Sequence, residues 1–200
     1  MTATDSTKDR VRVVETVVLS DDWYVLRKVI FDFRRGDGTW QRQSRETYDR
    51  GNGATILLHN PGTGTVLLTR QFRMPAFVNG HHGMLIEAPG GLLDNATPEE
   101  RIRAEVEEET GYRVGHLEKI FEAFMSPGSV TEKPYFYLGE YDGSMRVGDG
   151  GGVIEEGEEI EVMEVPLDEA MRMIGRGGIA DGKTIMLLQH LALRRAATRP

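Results

Sequence analysis

The residues whose types and spacing point to chemistry lie in the segment 90–111 of this 200-residue chain, GGLLDNATPEERIRAEVEEETG. Thr97-Pro98-Glu99-Glu100 opens a helix. Thr97 supplies a capping hydroxyl, Pro98 suits the first turn, and Glu100 closes a capping box. Gly111 can take the left-handed conformation that ends it. At 100° per residue, Ile102 and Val106 define an apolar stripe, and Glu105 and Glu109, four apart, share a face beside it. Glu100 and Glu107 fall on the solvated side. Glu99 and Arg103 are an i,i+4 pair that surface electrostatics explains. Two carboxylates stacked beside apolar surface repel each other and resist desolvation. Three consecutive acids, Glu107 to Glu109, also sit at the helix end where the dipole favours cations. A run of glutamates is usually a solvated face. The position of this pair beside the stripe, behind Gly90-Gly91, favours a hard divalent cation instead. Mg²⁺ takes one or two carboxylates and completes its octahedron with water and substrate phosphate.

The elements that must carry this helix are mostly strands. VRVVETVVL from Val11 is rich in β-branched residues, WYVLRKVIFDF alternates apolar and polar, and the turn at 36–38 leads into TWQRQSRETYD. ATILLHN and TVLLTRQF flank Pro61-Gly62-Thr63-Gly64 and read as a hairpin. Their apolar runs fit strands covered on both faces. LEKIFEAFMS, KPYFYLGEY and EIEVMEVP are further strands, and a Gly-rich acidic loop, DGSMRVGDGGGVIEEGEE, precedes the last of them. Two helices close the chain, from Leu167 to about Ile174 and from about Lys183 to Ala197. Many strands with three helices predict an α+β fold, a mixed sandwich and not a regular βαβ array.

Composition narrows the function. Lys plus Arg is 24 against 32 Asp plus Glu, a net charge of −8, which argues against nucleic acid or an anionic membrane as the main partner. Cysteine is absent, which excludes disulfides, a thiolate zinc site and a cysteine nucleophile, and suits a reducing cytoplasm. The polar start MTATDSTKDR has no apolar core, so no signal peptide is expected, and no stretch approaches the roughly 18 apolar residues of a membrane span. His81-His82 lacks partners at ligand spacing and reads as an exposed loop; His59, His116 and His190 are isolated and structural. G-x-x-x-x-G-K-[ST], G-x-S-x-G and H-E-x-x-H do not occur.

The acidic helix resembles the Nudix box, G-x5-E-x7-R-E-U-x-E-E-x-G-U with U aliphatic. Glu105, Val106, Glu108, Glu109, Gly111 and Tyr112 match its second half, with Tyr112 standing in for an aliphatic residue. The first half departs. Counted from Gly91, the spacing to Gly111 is one residue short. Ala104, with Arg103 adjacent, replaces the box arginine, and the first box glutamate has no clear counterpart; Thr97 sits nearest, with Asp94 and Glu99 nearby. The resemblance extends over roughly residues 20 to 195 and is strongest to the bacterial GDP-mannose hydrolases of the superfamily. It is carried by YDRGNGATILL, RQFR, VNG, GLLDN, EETGY, MSPGSVTE, GGGV and DGKT.

This resemblance implies a Nudix α/β/α sandwich of mixed β-sheets over residues 51–200. It implies an N-terminal antiparallel β region over residues 1–50 that pairs two subunits as a homodimer and adds substrate contacts. The implied reaction is Mg²⁺-dependent hydrolysis of GDP-mannose to GMP and mannose 1-phosphate, with Mn²⁺ as a substitute ion. It implies Glu105 and Glu109 as metal carboxylates, with the Gly90 carbonyl beside them, and Glu108 as a water-mediated ligand or an orienting base. The loop acid comes from EEGEE: Glu158 fits a ligand closing onto the metal and Glu156 a general base, and the adjacent glutamates leave the two roles interchangeable. A Gly-rich loop suits a residue that arrives with substrate. Arg73 is the implied phosphate clamp, since a guanidinium forks onto phosphate oxygens. Arg45, Glu46, Glu132 and Lys183 are implied substrate contacts, and Trp23 an implied stacking partner for guanine or a packing residue. Two other readings stay open: an ADP-ribose or ADP-sugar pyrophosphatase, and a sensor that binds a nucleotide sugar without cleaving it.

Overall fold

A computed structural model describes residues 7–154 and 157–197. The chain divides into two compact units, one comprising residues 1–51 and 126–132, the other residues 52–125 and 133–200.

The first unit is an antiparallel meander of β1 (Val11–Asp21), β2 (Val25–Arg34) and β3 (Trp40–Asp49), in the order β1-β2-β3. The reading of three successive strands before residue 50 holds, and the turn at 36–38 lies between β2 and β3. Cross-strand charge pairs support the register: Asp32 faces Arg42 and accepts from its Nε at 2.6 Å and its Nη2 at 3.0 Å. Residues 126–132 join through backbone bonds, Tyr48 N to Ser129 O at 2.8 Å and Thr131 N to Tyr48 O at 3.1 Å. β1 is an edge strand within this chain, and its Val13 is 64% and Val18 54% exposed.

The second unit is built on a seven-stranded mixed sheet. β4 (Gly53–Asn60) and β5 (Thr65–Phe72) form the expected hairpin at its centre. β10 (Glu161–Pro166) flanks β5, and β9 (Tyr135–Glu140) runs parallel to β4 with β8 (Leu117–Glu122) beyond it. Two short strands that the sequence did not reveal, β6 (Met84–Glu87) and β7 (Gly90–Leu92), pair with β5 and β4. The short helix α1 (Met74–Val78) likewise adds to the three helices expected from the sequence.

The central strands are buried on both faces, as their apolar runs require. Side chains alternate across β4. Leu57 joins one core with Leu167 and Ala170 of α3 (Leu167–Gly175) and Leu187, Leu188 and Leu191 of α4 (Gly182–Ala197). Ile56 and Leu58 join the other core with Ile102 and Val106 of α2 (Pro98–Thr110). The result is the anticipated α/β/α sandwich. No helix among the described residues is long and apolar enough to cross a membrane.

Candidate active site

Helix α2 sets the site because both its ends are fixed. Thr97 Oγ1 accepts from Glu100 N at 3.3 Å while Glu100 Oε2 accepts from Thr97 N at 3.0 Å, the reciprocal capping box. Gly111 ends the helix at φ +74°. Beyond it the glycine-rich segment returns and satisfies the last carbonyls. Gly152 N donates to Glu108 O at 3.1 Å, Gly151 N to Glu109 O at 3.0 Å, and Val147 N and Gly148 N to Gly111 O at 2.8 and 3.0 Å. The contact needs a residue without Cβ: one added to Gly150 would lie 2.5 Å from Glu109 O. The Gly-rich loop is therefore a backbone clasp on the acidic helix.

Between these ends the stripe of Ile102 and Val106 is fully buried and carries the two glutamates inward with it. Glu105 is 5% and Glu109 2% exposed. Glu100, Glu107 and Glu108 are exposed, so Glu108 does not share the buried face. Burial is the main force on both buried carboxyls. It pushes Glu105 up to about 7, with Arg101 opposing and Glu108 and Glu158 adding to the rise. It raises Glu109 well above the ordinary carboxylate range, assisted by Glu105 and Glu158 and opposed by Gly90 N–H and Arg73. Gly90 N donates to Glu109 Oε2 at 3.2 Å. Gly91 lies against the other carboxylate: a Cβ there would fall 1.9 Å from Glu105 Oε1. Counted from Gly90, the box runs its full length to Gly111, and Ala96 then takes the place of its first glutamate. Two desolvated, mutually repelling carboxylates beside a backbone turn are a donor set that fits a hard divalent cation. Among the described residues, no three His, Asp or Glu side chains are gathered where they could hold one metal ion, so the acidic pair stands without a third such side chain.

The loop acids divide. Glu158 Oε2 accepts from Val153 N at 3.0 Å, and its charge reaches both Glu105 and Glu109. Glu156 lies outside the described residues.

Two basic side chains, Arg73 and Lys183, approach Glu87, and the charge of Arg73 reaches Glu109. Arg73, at the junction of β5 and α1, donates from Nε to Glu87 Oε2 at 2.8 Å. Burial works to lower its pKa, but Glu87, Glu109 and Asp181 together outweigh that and raise it. Lys183, in the first turn of α4, donates from Nζ to Asp181 Oδ1 at 2.7 Å and lies 3.9 Å from Glu87 Oε1. Asp181 also caps α4 by accepting from Thr184 N at 2.9 Å, and Thr184 Oγ1 accepts from Ala88 N at 2.7 Å. Burial tends to raise the Asp181 carboxyl, and Lys183 and Thr184 outweigh it and hold it below its usual range. Glu87 and Asp181 were missed in the sequence. The one signal for Glu87 was an acid ending the apolar run MLI just before the paired glycines.

Several smaller expectations change. Arg103 does not pair with Glu99; its Nη1 donates to the carbonyls of Val114 and Gly115 at 2.7 and 2.8 Å. The i,i+4 ion pair on α2 is Arg101 with Glu105. His81 is half-buried, not exposed, and stacks on His82 with ring centroids 3.9 Å apart. Their Nδ1 atoms accept from Gly83 N and Met84 N, which leaves neither ring poised as a ligand through that atom.

Trp23, Arg45, Glu46 and Glu132 belong to the first unit. Trp23 occupies the β1–β2 turn, is 80% exposed and meets Tyr24 edge-on at 6.2 Å, so it is not a core residue of that unit. Arg45 and Glu46 are exposed on β3; Arg45 Nη1 donates to Ser44 O at 2.7 Å, and Glu46 stands opposite Lys28. Glu132 lies 4.0 Å from Arg50 Nε.

Comparison with known proteins agrees with this geometry. Residues 10–48 match the family profile described as the GDP-mannose pyrophosphatase NudK N-terminal domain, and residues 49–188 match the NUDIX domain. A protein of Pectobacterium atrosepticum named GDP-mannose pyrophosphatase is 58% identical over 183 residues, covering 91% of this chain and 94% of that protein. One of the same name from Klebsiella pneumoniae is 51% identical over 182 residues, covering 90% of this chain and 91% of its own length. Among solved structures, an ADP compounds hydrolase superposes with a TM-score of 0.72 at 14% identity, over 96% of this chain and 97% of that one, a likeness of fold.

Proposed function

We propose, from the premise that this chain belongs to the Nudix hydrolase family, that it hydrolyses the pyrophosphate of a nucleoside diphosphate sugar, GDP-mannose, to GMP and mannose 1-phosphate. The observation that carries the reading is the buried pair Glu105 and Glu109 with the charge of Arg73 acting on Glu109, which joins a site for a cation to a group that can hold an anion. The choice of GDP-mannose is supported by the names of relatives similar to this chain over nine-tenths of its length.

Glu105 and Glu109, the Gly90 carbonyl and Glu158 would hold Mg²⁺, with Mn²⁺ as a substitute. Bound there, the ion supplies charge neutralisation at the pyrophosphate and a more acidic water. Arg73, steadied by Glu87, clamps phosphate oxygens, and Lys183, steadied by Asp181, adds a second positive charge. A water oxygen forms a bond to phosphorus as the bridging P–O bond breaks, and the water's proton passes to a loop carboxylate. Glu156 is the proposed base, with Glu108 orienting. Trp23, Arg45, Glu46 and Glu132 are proposed contacts to the nucleotide and sugar. The protein works as a homodimer through its N-terminal β region, in the cytoplasm.

The test is a hydrolysis panel of GDP-mannose, GDP-glucose, ADP-ribose, ADP-glucose and UDP-glucose, with Mg²⁺ and with chelator, resolving the nucleotide products. Metal-dependent release of GMP from GDP-mannose, faster than any release from the other four, is the expected result. Preference for ADP-ribose would keep the acidic helix and discard the substrate. Binding without cleavage of all five would make the protein a sensor.

A further inference from the structure

Arg101 is an unusual surface-helix arginine. Its Nη2 meets Glu105 Oε1 at 2.5 Å, with side-chain exposures of 28% and 6% for the two partners. Its Nε is shut off from solvent and has no hydrogen-bond partner. A buried guanidinium N–H without an acceptor costs stability, so the side chain is committed to this place by something that outweighs the loss. The partner is one of the two carboxylates proposed to hold the cation, and it lies against Gly91, where a Cβ would fall 1.9 Å from the same Oε1. The box residues that resemblance would expect to order this helix are missing, with Ala104 in place of the arginine.

We infer that Arg101 is a positioning residue for the divalent-cation site: pinned between Arg101 and the Gly91 backbone, Glu105 is fixed in the orientation in which it binds the ion. This rests on the metal role of Glu105 proposed above. Arg101 sits one turn before Glu105 on the same rigid helix, so the support costs no loop ordering and leaves the glutamate few rotamers. Outer residues that orient a metal ligand are typically worth 10- to 100-fold in metal affinity.

The experiment is direct Mn²⁺ binding, followed by electron paramagnetic resonance on purified full-length protein without substrate. Wild type, Arg101→Ala, Arg101→Gln, Arg101→Lys and Glu105→Gln are compared, with folding checked by circular dichroism. Arg101→Ala should weaken Mn²⁺ binding roughly 10-fold or more, and Arg101→Lys, which keeps the charge without the fork, should fall between it and wild type. Should the alanine variant not fold, Arg101→Gln, which keeps most of the stem, takes its place with the same expectation. Wild-type or tighter binding in Arg101→Ala or its glutamine substitute, while Glu105→Gln loses Mn²⁺, would overturn the inference alone; tighter binding would mean that Arg101 competes with the ion. Wild-type binding in Glu105→Gln would overturn the metal role of Glu105 and this inference with it.

Discussion

At the scale of single residues, the molecule's most demanding feature is that Glu105 and Glu109 are buried together. Glu109→Gln should cut turnover roughly 100-fold or more, because it removes a charge from the cation site and leaves the shape. In chelator at pH 8 the same variant should melt higher than wild type, since a neutral amide needs neither a buried proton nor a buried charge there, and the gain should fade at pH 5. Retained turnover would remove Glu109 from the site. Glu105 makes stability depend on pH. Burial pushes its folded carboxyl up to about 7, above the ordinary 4.5, so between those values the folded chain holds a proton that the unfolded chain has lost. That stabilisation is complete below about 4.5 and disappears as pH rises through about 7. Metal-free protein should therefore melt at progressively lower temperature from pH 5 to pH 8, and Mg²⁺ should raise the midpoint more at pH 8. A chelated midpoint that stays level or rises over that range would contradict the assignment. Both glutamates were legible in the sequence because helical spacing alone places them beside Ile102 and Val106. Glu87 and Asp181 were not. Each is a single acid whose meaning depends on partners brought in by the fold, such as the Ala88–Thr184 bond across 96 positions.

At the scale of elements, legibility followed length and punctuation. Helix α2 could be read to the residue from Thr97, Pro98 and Gly111, and β4 and β5 from the Pro-Gly turn between them. Helix α1 spans five residues and β7 three, too short for any period to show; their conformation is imposed by pairing and by the chain reversal after Arg73. The glycines at 150–152 looked like a carrier for a moving acid. In the fold they bind the end of α2, and the freedom they supply is used for close approach. Gly150→Ala tests this element. With φ at +70° and a Cβ 2.5 Å from Glu109 O, the alanine should cost roughly 2 kcal/mol, on the order of 5 °C in Tm. An unchanged Tm would show that the clasp yields freely.

At the scale of the whole molecule, two units carry different parts of the proposed chemistry, the acid pair in one and Trp23, Arg45, Glu46 and Glu132 in the other. The meander was legible because β-branched runs alternate through it. The inclusion of residues 126–132 was not, because it rests on backbone bonds to Tyr48 that no side-chain pattern records. An eleven-residue edge strand with valines exposed along it is a pairing surface that soluble proteins rarely leave open. Light scattering should accordingly return about twice the 22.4 kDa chain mass, and Val13→Lys with Val18→Lys should return it to the single-chain value. A stable 22.4 kDa species for wild type at micromolar concentration would overturn the dimer.

The clasp also offers a clock. Gly151 and Gly152 lie outside any helix or strand, where amide protons ordinarily trade with solvent within moments, yet both donate to carbonyls at the C-terminal end of α2. Their deuterium uptake should be as slow as that of amides inside the helix, and it should quicken only when the helix end and the loop part company. Two glycine amides thus report, residue by residue and in protein that is not turning over, how often the acidic helix lets go of the segment that carries Glu158.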